Sequence, residues 1–322
     1  MKTQQTGIHI DDSILDHLKK SDGIIFDCDG VLIDITKSYD LTIAKTVNYV
    51  LENFAEINDG IAVDSKIIDG FKSTGGFNDE VDLTYAAILS IVAAKSLGKD
   101  QHDFIFDTIA HSDSSGIKSV ENYLQKITDI SKIKDTLSYP GPHISNPLYK
   151  IFDQIFYGPE LYKKLYDTDS EFTEPGLIKN DIVIFNDSLA TKLGNRFDSK
   201  IAMVTGRGME STKYSLGNLF SKFDLKHSAF LEDESRDLAK PNPESLIRAI
   251  TGMGCKNVIY VGDSMEDLMM AKKATKLGHN TIFCGIIGTS MQPRKKLELF
   301  EQNGAQIILD SIHLIPNILN LE

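Results

Sequence analysis

Two aspartates, Asp27 and Asp29, stand two positions apart where the short apolar run Gly23-Ile24-Ile25-Phe26 ends. Paired carboxylates at the tip of a buried strand are costly unless a cation meets them. A surface Asp-Gly turn through Gly30 is the plainer alternative for these residues alone. Three further stretches shift the balance. Ile201–Val204 runs into Thr205-Gly206-Arg207, a hydroxyl, a small residue and a cation ahead of a helix start. Backbone amides there can hold an anion, although an N-cap threonine explains the tripeptide equally well. Lys240 precedes Pro241-Asn242-Pro243, whose prolines restrict the direction of the chain. Val258–Val261 leads into Gly262-Asp263-Ser264-Met265-Glu266-Asp267, with Asp263 at the strand tip and Asp267 one helical turn later on the same side. Acids in this arrangement suit Mg2+, which takes one or two carboxylates and keeps waters.

The elements that must position these residues are legible as short apolar runs. To Gly23–Phe26, Ile201–Val204 and Val258–Val261 are added Thr281–Cys284 and Gln306–Leu309. Amphipathic helices at Glu210–Leu219, Pro243–Thr251, Glu266–Lys276 and Arg294–Gln302 separate the later runs. Alternation of this kind predicts an α/β fold built on a parallel sheet, with ligands at the carboxyl ends of the strands. Between the first and second of these runs the chain reads as mostly helical, with helices at Ser38–Phe54, Asp82–Leu97, Ser119–Ile127 and Pro147–Ile155. The division predicted is 1–34 and 185–322 for the core and 35–184 for an inserted helical domain. Residues 1–20 are left open, apart from a short helix over Ile10–Leu18.

The 322 residues include 34 basic and 46 acidic side chains, a net charge of −12, which argues against nucleic acid as a partner. The densest basic cluster, Arg294-Lys295-Lys296, reads as a solvated helix face. An anionic ligand must therefore be held by local cations, amides or a metal rather than by the overall field. Cys28, Cys255 and Cys284 suggest no disulfide framework, and the N-terminal stretch lacks the apolar segment of a secretory signal. The most apolar helical stretch, Tyr85–Ala94, falls far short of the ~20 residues a membrane span needs. These features predict a cytoplasmic protein with no membrane partner, and they leave the oligomeric state open.

Taken together, DCDGVLID (Asp27–Asp34), VTGR (Val204–Arg207), AKPNP (Ala239–Pro243) and VGDSMED (Val261–Asp267) resemble the four signature motifs of the haloacid dehalogenase superfamily. The resemblance spans roughly residues 20–34 and 185–322, and the helical insert resembles the C1 cap of subfamily I, phosphoglycolate-phosphatase-like members. It implies a Rossmann-like core and a Mg2+-dependent phosphohydrolase that cleaves a small phosphorylated metabolite through an aspartyl-phosphate. Asp27 would be the nucleophile, and Asp29 the acid for the leaving oxygen and then the base for water. Thr205 and Lys240 would hold the phosphoryl oxygens, with Gly206 and Arg207 beside them. Asp27, Asp263 and the backbone carbonyl of Asp29 would hold Mg2+, supported by Asp267 as an outer acceptor or through Lys240. Asp29 favours phosphoryl transfer over dehalogenation, because a halide leaves without a proton. A phosphomutase of the β-phosphoglucomutase type uses the same intermediate, and a non-catalytic binding protein that retains the fold is a third reading.

Substrate choice in such proteins falls largely to the cap. Its most unusual stretch is Gly70–Glu80, where Gly75-Gly76 is flanked by Lys72 and Asn78 as candidate substrate contacts. A closing specificity loop and a plain helix–helix connector explain this stretch equally well. His143 reads as a solvated loop histidine.

Overall fold

Three parallel strands placed side by side organise the chemistry-bearing residues. The computed structural model describes residues 2–77, 79–143 and 145–321. Its strands are β1 (Lys2–Gln5), β2 (Ile8–Ile10), β3 (Gly23–Phe26), β4 (Ile33–Asp34), β5 (Ile182–Val183), β6 (Ile201–Thr205), β7 (Ala229–Phe230), β8 (Asn257–Gly262), β9 (Asn280–Ile286) and β10 (Ile307–Leu309). The main sheet has the order β1-β2-β10-β9-β8-β3-β6-β7. Neighbours from β10 across to β7 are parallel. Every residue of β3 and of β6 is buried, as strands covered on both faces require.

The sheet departs from the all-parallel expectation at one edge. β2 runs antiparallel to both β10 and β1, so residues 2–10 extend the sheet instead of fraying. The short helix expected over Ile10–Leu18 begins later, as a 3-10 turn at Asp12–Ile14 followed by α1 (Leu15–Lys19). Pairing of Ile8 with Leu309 and of Ile10 with Ile307 buries both isoleucines. That gain is invisible in a segment of such mixed polarity read alone.

The chain divides into a unit of Met1–Asp34 with Ile182–Glu322 and a unit of Ile35–Asp181. The second boundary falls three residues before the one read from sequence, because β5 pairs antiparallel with β4 at the end of the first motif. The helical unit contains α2 (Tyr39–Phe54), α3 (Ser65–Ser73), α4 (Glu80–Ser96), α5 (Gln101–Ala110), α6 (Ile117–Leu124), α7 (Ser131–Leu137) and α8 (Pro147–Tyr166). Helix α8 runs past the Ile155 end read from sequence and is broken at Gly158. Helix α4 is buried nearly all round, and α2, α5 and α6 pack against it. Tyr39 stacks on Phe156 at 4.1 Å within the same core.

In the other unit, α9 (Asp187–Phe197), α10 (Met209–Leu216), α11 (Glu244–Gly252), α12 (Met265–Lys276), α13 (Pro293–Gln302) and α14 (Ile315–Leu319) alternate with the strands. Ile25, Val204, Tyr260, Leu246, Phe283 and Phe300 meet in one buried cluster. The result is a Rossmann-like α/β core interrupted by a helical insertion. Among the described residues no helix is long and apolar enough to cross a membrane.

Candidate active site

Strand register brings the motifs together. Phe26 pairs level with Met203 of β6 on one side and with Val261 of β8 on the other. The next residues therefore leave the sheet at neighbouring carboxyl ends, and the amide of Asp27 donates to the carbonyl of Val261 at 2.8 Å. Gly30 turns the chain with φ of 72°, and a Cβ there would lie 2.4 Å from Asp263 Oδ2. A side chain at position 30 is thus excluded by the carboxylate opposite as well as by backbone conformation. Thr289, in the loop after β9, donates its hydroxyl to the carbonyl of Gly30 at 2.9 Å and pins the turn from the far side.

Lys240 lies between two acids, with Nζ 2.7 Å from Asp27 Oδ1 and 2.7 Å from Asp267 Oδ1. All three residues are buried. Burial lifts the Asp27 carboxyl to about 8; Lys240 pulls it down, while Asp267, Asp263 and Asp29 push it up. Burial alone would lower Lys240, but the carboxylates of Asp267 and Asp27 outweigh it and raise the ammonium above its ordinary range. Asp267 resists the upward push of burial through Lys240, Tyr260 and Ser264, which hold it below the usual carboxylate value.

The hydrogen bonds of Asp267 define its part. Oδ1 accepts from the Tyr260 hydroxyl at 2.7 Å, and Oδ2 accepts from the amides of Asp263 and Ser264 and from the Ser264 hydroxyl. Ser264 returns the contact by capping the Asp267 amide, a reciprocal capping box at the start of α12. Asp267 thereby holds the 262–264 loop and Lys240 in place.

Carboxylate oxygens of Asp27, Asp263 and Asp267 lie within 4.8 Å of one another. Both oxygens of Asp267 are engaged, so Asp27 and Asp263 are the pair suited to share a cation. Four carboxyl groups, those of Asp27, Asp29, Asp263 and Asp267, gather here with three cationic side chains, Lys240, Arg207 and Lys296. A hard, oxygen-seeking cation such as Mg2+ matches this donor set.

Thr205 is fully buried, and its hydroxyl accepts from the amide of Arg207 at 3.2 Å, whereas Gly206 is exposed. Arg207, expected beside a bound phosphate, is instead buried, with Nη2 2.9 Å from Asp29 Oδ1 and Nη1 donating to Ser215 at 2.8 Å. The start of α10 is likewise closed to an outside anion at two of its amides. Gly208 and Met209 donate to the carboxylates of Glu232 and Asp233 at 2.8 and 2.7 Å. These two acids follow β7, whose pairing with β6 is a long-range event with no signal near VTGR.

Two further site residues escape a motif reading. Tyr260 sits in an apolar strand, yet its hydroxyl reaches Asp267. Lys296, read as part of a solvated basic face, places Nζ 2.7 Å from Asp263 Oδ2, while Arg294 and Lys295 are exposed as read. Three consecutive helical residues point in directions about 100° apart, so only one of such a run can face the site.

In the helical unit, Lys72 ends α3 and pairs with Glu80 of α4 at 3.1 Å, and Asn78 lies outside the described residues. The Gly75-Gly76 segment is a turn between those helices. Gly75 has φ of 77°, and a Cβ on Gly76 would meet the Asp113 carbonyl at 2.6 Å. Packing inside the unit therefore accounts for both glycines. His143, read as a solvated loop histidine, is 31% exposed at its side chain and also meets Oδ2 of buried Asp153 through Nε2 at 3.1 Å.

Residues 187–275 match the family model of the haloacid dehalogenase-like hydrolases. A phosphatase, Tt82, from Thermococcus thioreducens shares the fold with a TM-score of 0.56 and 21% identity, over 87% of this chain and 99% of that one. A haloacid dehalogenase-like hydrolase from Bacteroides fragilis does so with a TM-score of 0.51 and 18% identity, over 92% and 100%. Comparison with curated protein sequences gave no match. The family model covers the part of the chain that carries three of the four strand-tip motifs, VTGR, AKPNP and VGDSMED, and both solved structures share the fold.

Proposed function

We propose that the chain is a Mg2+-dependent phosphohydrolase that cleaves a small phosphorylated metabolite through an aspartyl-phosphate on Asp27. The observation supporting it most is the setting of Asp27: buried, 2.7 Å from Lys240, and with a carboxylate oxygen within 4.8 Å of one from Asp263. Asp27, Asp263 and the main-chain carbonyl of Asp29 would hold Mg2+, which would supply the positive charge that lets a phosphate ester approach an anionic carboxylate.

Asp27 is the nucleophile: an oxygen–phosphorus bond forms at its carboxylate as the ester bond breaks. Lys240 orients Asp27 and screens the phosphoryl oxygens, and Asp267 fixes Lys240 from behind. Asp29 gives its proton to the departing alkoxide, then takes one from the water that attacks the aspartyl-phosphate. Arg207 holds the Asp29 carboxyl through Oδ1, so the proton is delivered in a fixed direction. Thr205 completes the cradle at the end of β6.

Phosphate release from a chromogenic aryl phosphate tests it, with Mg2+, with EDTA, and with Asp27→Asn. Turnover is expected only for the wild type with Mg2+. Equal inertness of wild type and Asp27→Asn over a broad panel of metabolite phosphates overturns the reading. Isomerised ester in place of free phosphate redirects it to a mutase.

A further inference from the structure

We propose that Lys296 sets the affinity of the acidic strand edge for its divalent cation by competing for Asp263. The inference rests on the metal reading above. Lys296 Nζ lies 2.7 Å from Asp263 Oδ2, the oxygen turned toward Gly30 and the nucleophile loop. Side-chain exposures of 18% and 25% keep both partners from ordinary solvation, unlike Arg294 and Lys295 on the same helix. Lys296 also stands in the first turns of α13, beside the positive end of the helix dipole. A lysine is disfavoured at that place unless a carboxylate meets it, and Asp263 does so.

Two positive charges therefore contend for one carboxylate. Without the ion, Lys296 neutralises Asp263 while Lys240 serves Asp27 and Asp267. When the ion enters, it must share Asp263 with the ammonium or push it aside. Lys296 thus weakens cation binding and keeps the metal-free edge from accumulating uncompensated charge. It acts on the metal site as a positioning residue and takes no part in bond making.

Mn2+ binding to the metal-stripped full chain, read from the free-ion electron paramagnetic resonance signal at low ionic strength, tests this. Lys296→Met is expected to lower the Mn2+ dissociation constant about tenfold, since a nearby like charge has been removed. Lys296→Arg and the exposed-charge control Lys295→Met should stay within about twofold of wild type, because distant surface charge is screened. Mg2+ should also raise the melting temperature of Lys296→Met more than that of wild type, a readout independent of turnover. Circular dichroism of the metal-free variants confirms folding, and Lys296→Arg keeps the comparison valid if the methionine variant is unstable. Unchanged or weaker Mn2+ binding by Lys296→Met, with wild type binding and Asp263→Asn impaired, overturns the role of Lys296 alone. No Mn2+ binding by wild type, or binding untouched by Asp263→Asn, overturns the metal reading and this inference with it.

Discussion

Asp27, the proposed nucleophile, is a store of instability in the metal-free protein, and Asp27→Asn exposes it. Burial raises the Asp27 carboxyl from 3.8 to about 8. Below the lower value both folded and unfolded chains hold the proton, and the stability this group contributes is fully present. As pH rises toward about 8 the unfolded chain has released the proton while the folded chain still binds it, so that contribution is progressively lost. At neutral pH the loss amounts to about 4 kcal/mol, from about 1.4 kcal/mol per unit over the interval the pH has crossed. Asparagine resembles the protonated acid and has no proton to lose. Asp27→Asn should therefore match wild type near the acid end and exceed it by about 4 kcal/mol near neutrality, while abolishing turnover. Urea denaturation in EDTA at a series of pH values measures the difference. A wild-type minus variant gap that stays constant with pH would refute the argument that burial, and not local packing, governs this carboxyl.

Other perturbations probe the remaining contacts. Arg207→Met, which frees Asp29 from its 2.9 Å ion pair, should lower kcat about 100-fold on alkyl phosphates but far less on nitrophenyl phosphate, whose leaving group needs no proton; equal losses on both would remove Arg207 from proton transfer. Tyr260→Phe deletes a buried hydroxyl donor to Asp267 and should cost about 1.5–3 kcal/mol in urea denaturation, as for bonds to charged groups. Gly30→Ala forces a Cβ to within 2.4 Å of Asp263 Oδ2 at a positive φ, so Mn2+ affinity and turnover should fall together; an intact Mn2+ titration would show that the loop yields without disturbing the acid.

What could be read from the chain and what could not separate along a physical line. The strands at Gly23–Phe26 and Val258–Val261 are short, wholly apolar and followed at once by Asp-rich turns, so local chemistry alone announced the elements and drew attention to the acids at their tips. The helix read from Glu266 starts one residue earlier, at Met265, where Ser264 and Asp267 form reciprocal caps. Residues whose meaning depends on pairing between distant strands were not. Glu232 and Asp233 close the start of α10 only because β7 docks on β6, and the 2–10 hairpin becomes sheet only against β10. Arg207 shows the same limit within a motif: the residue type signals a cation near an anion, but whether that anion is ligand or protein depends on the direction its side chain takes after β6. It turns inward to Asp29. Lys296 is the extreme case, a charge in a basic run whose partner lies 33 residues back and is met only through the docking of α13. Local pattern thus points to the strand-tip acids, whereas the side chains that contact them are chosen by tertiary packing. Lys296, Tyr260 and Arg207 touch the acids without being acids themselves, and each reaches its partner only through the packing of a separate element.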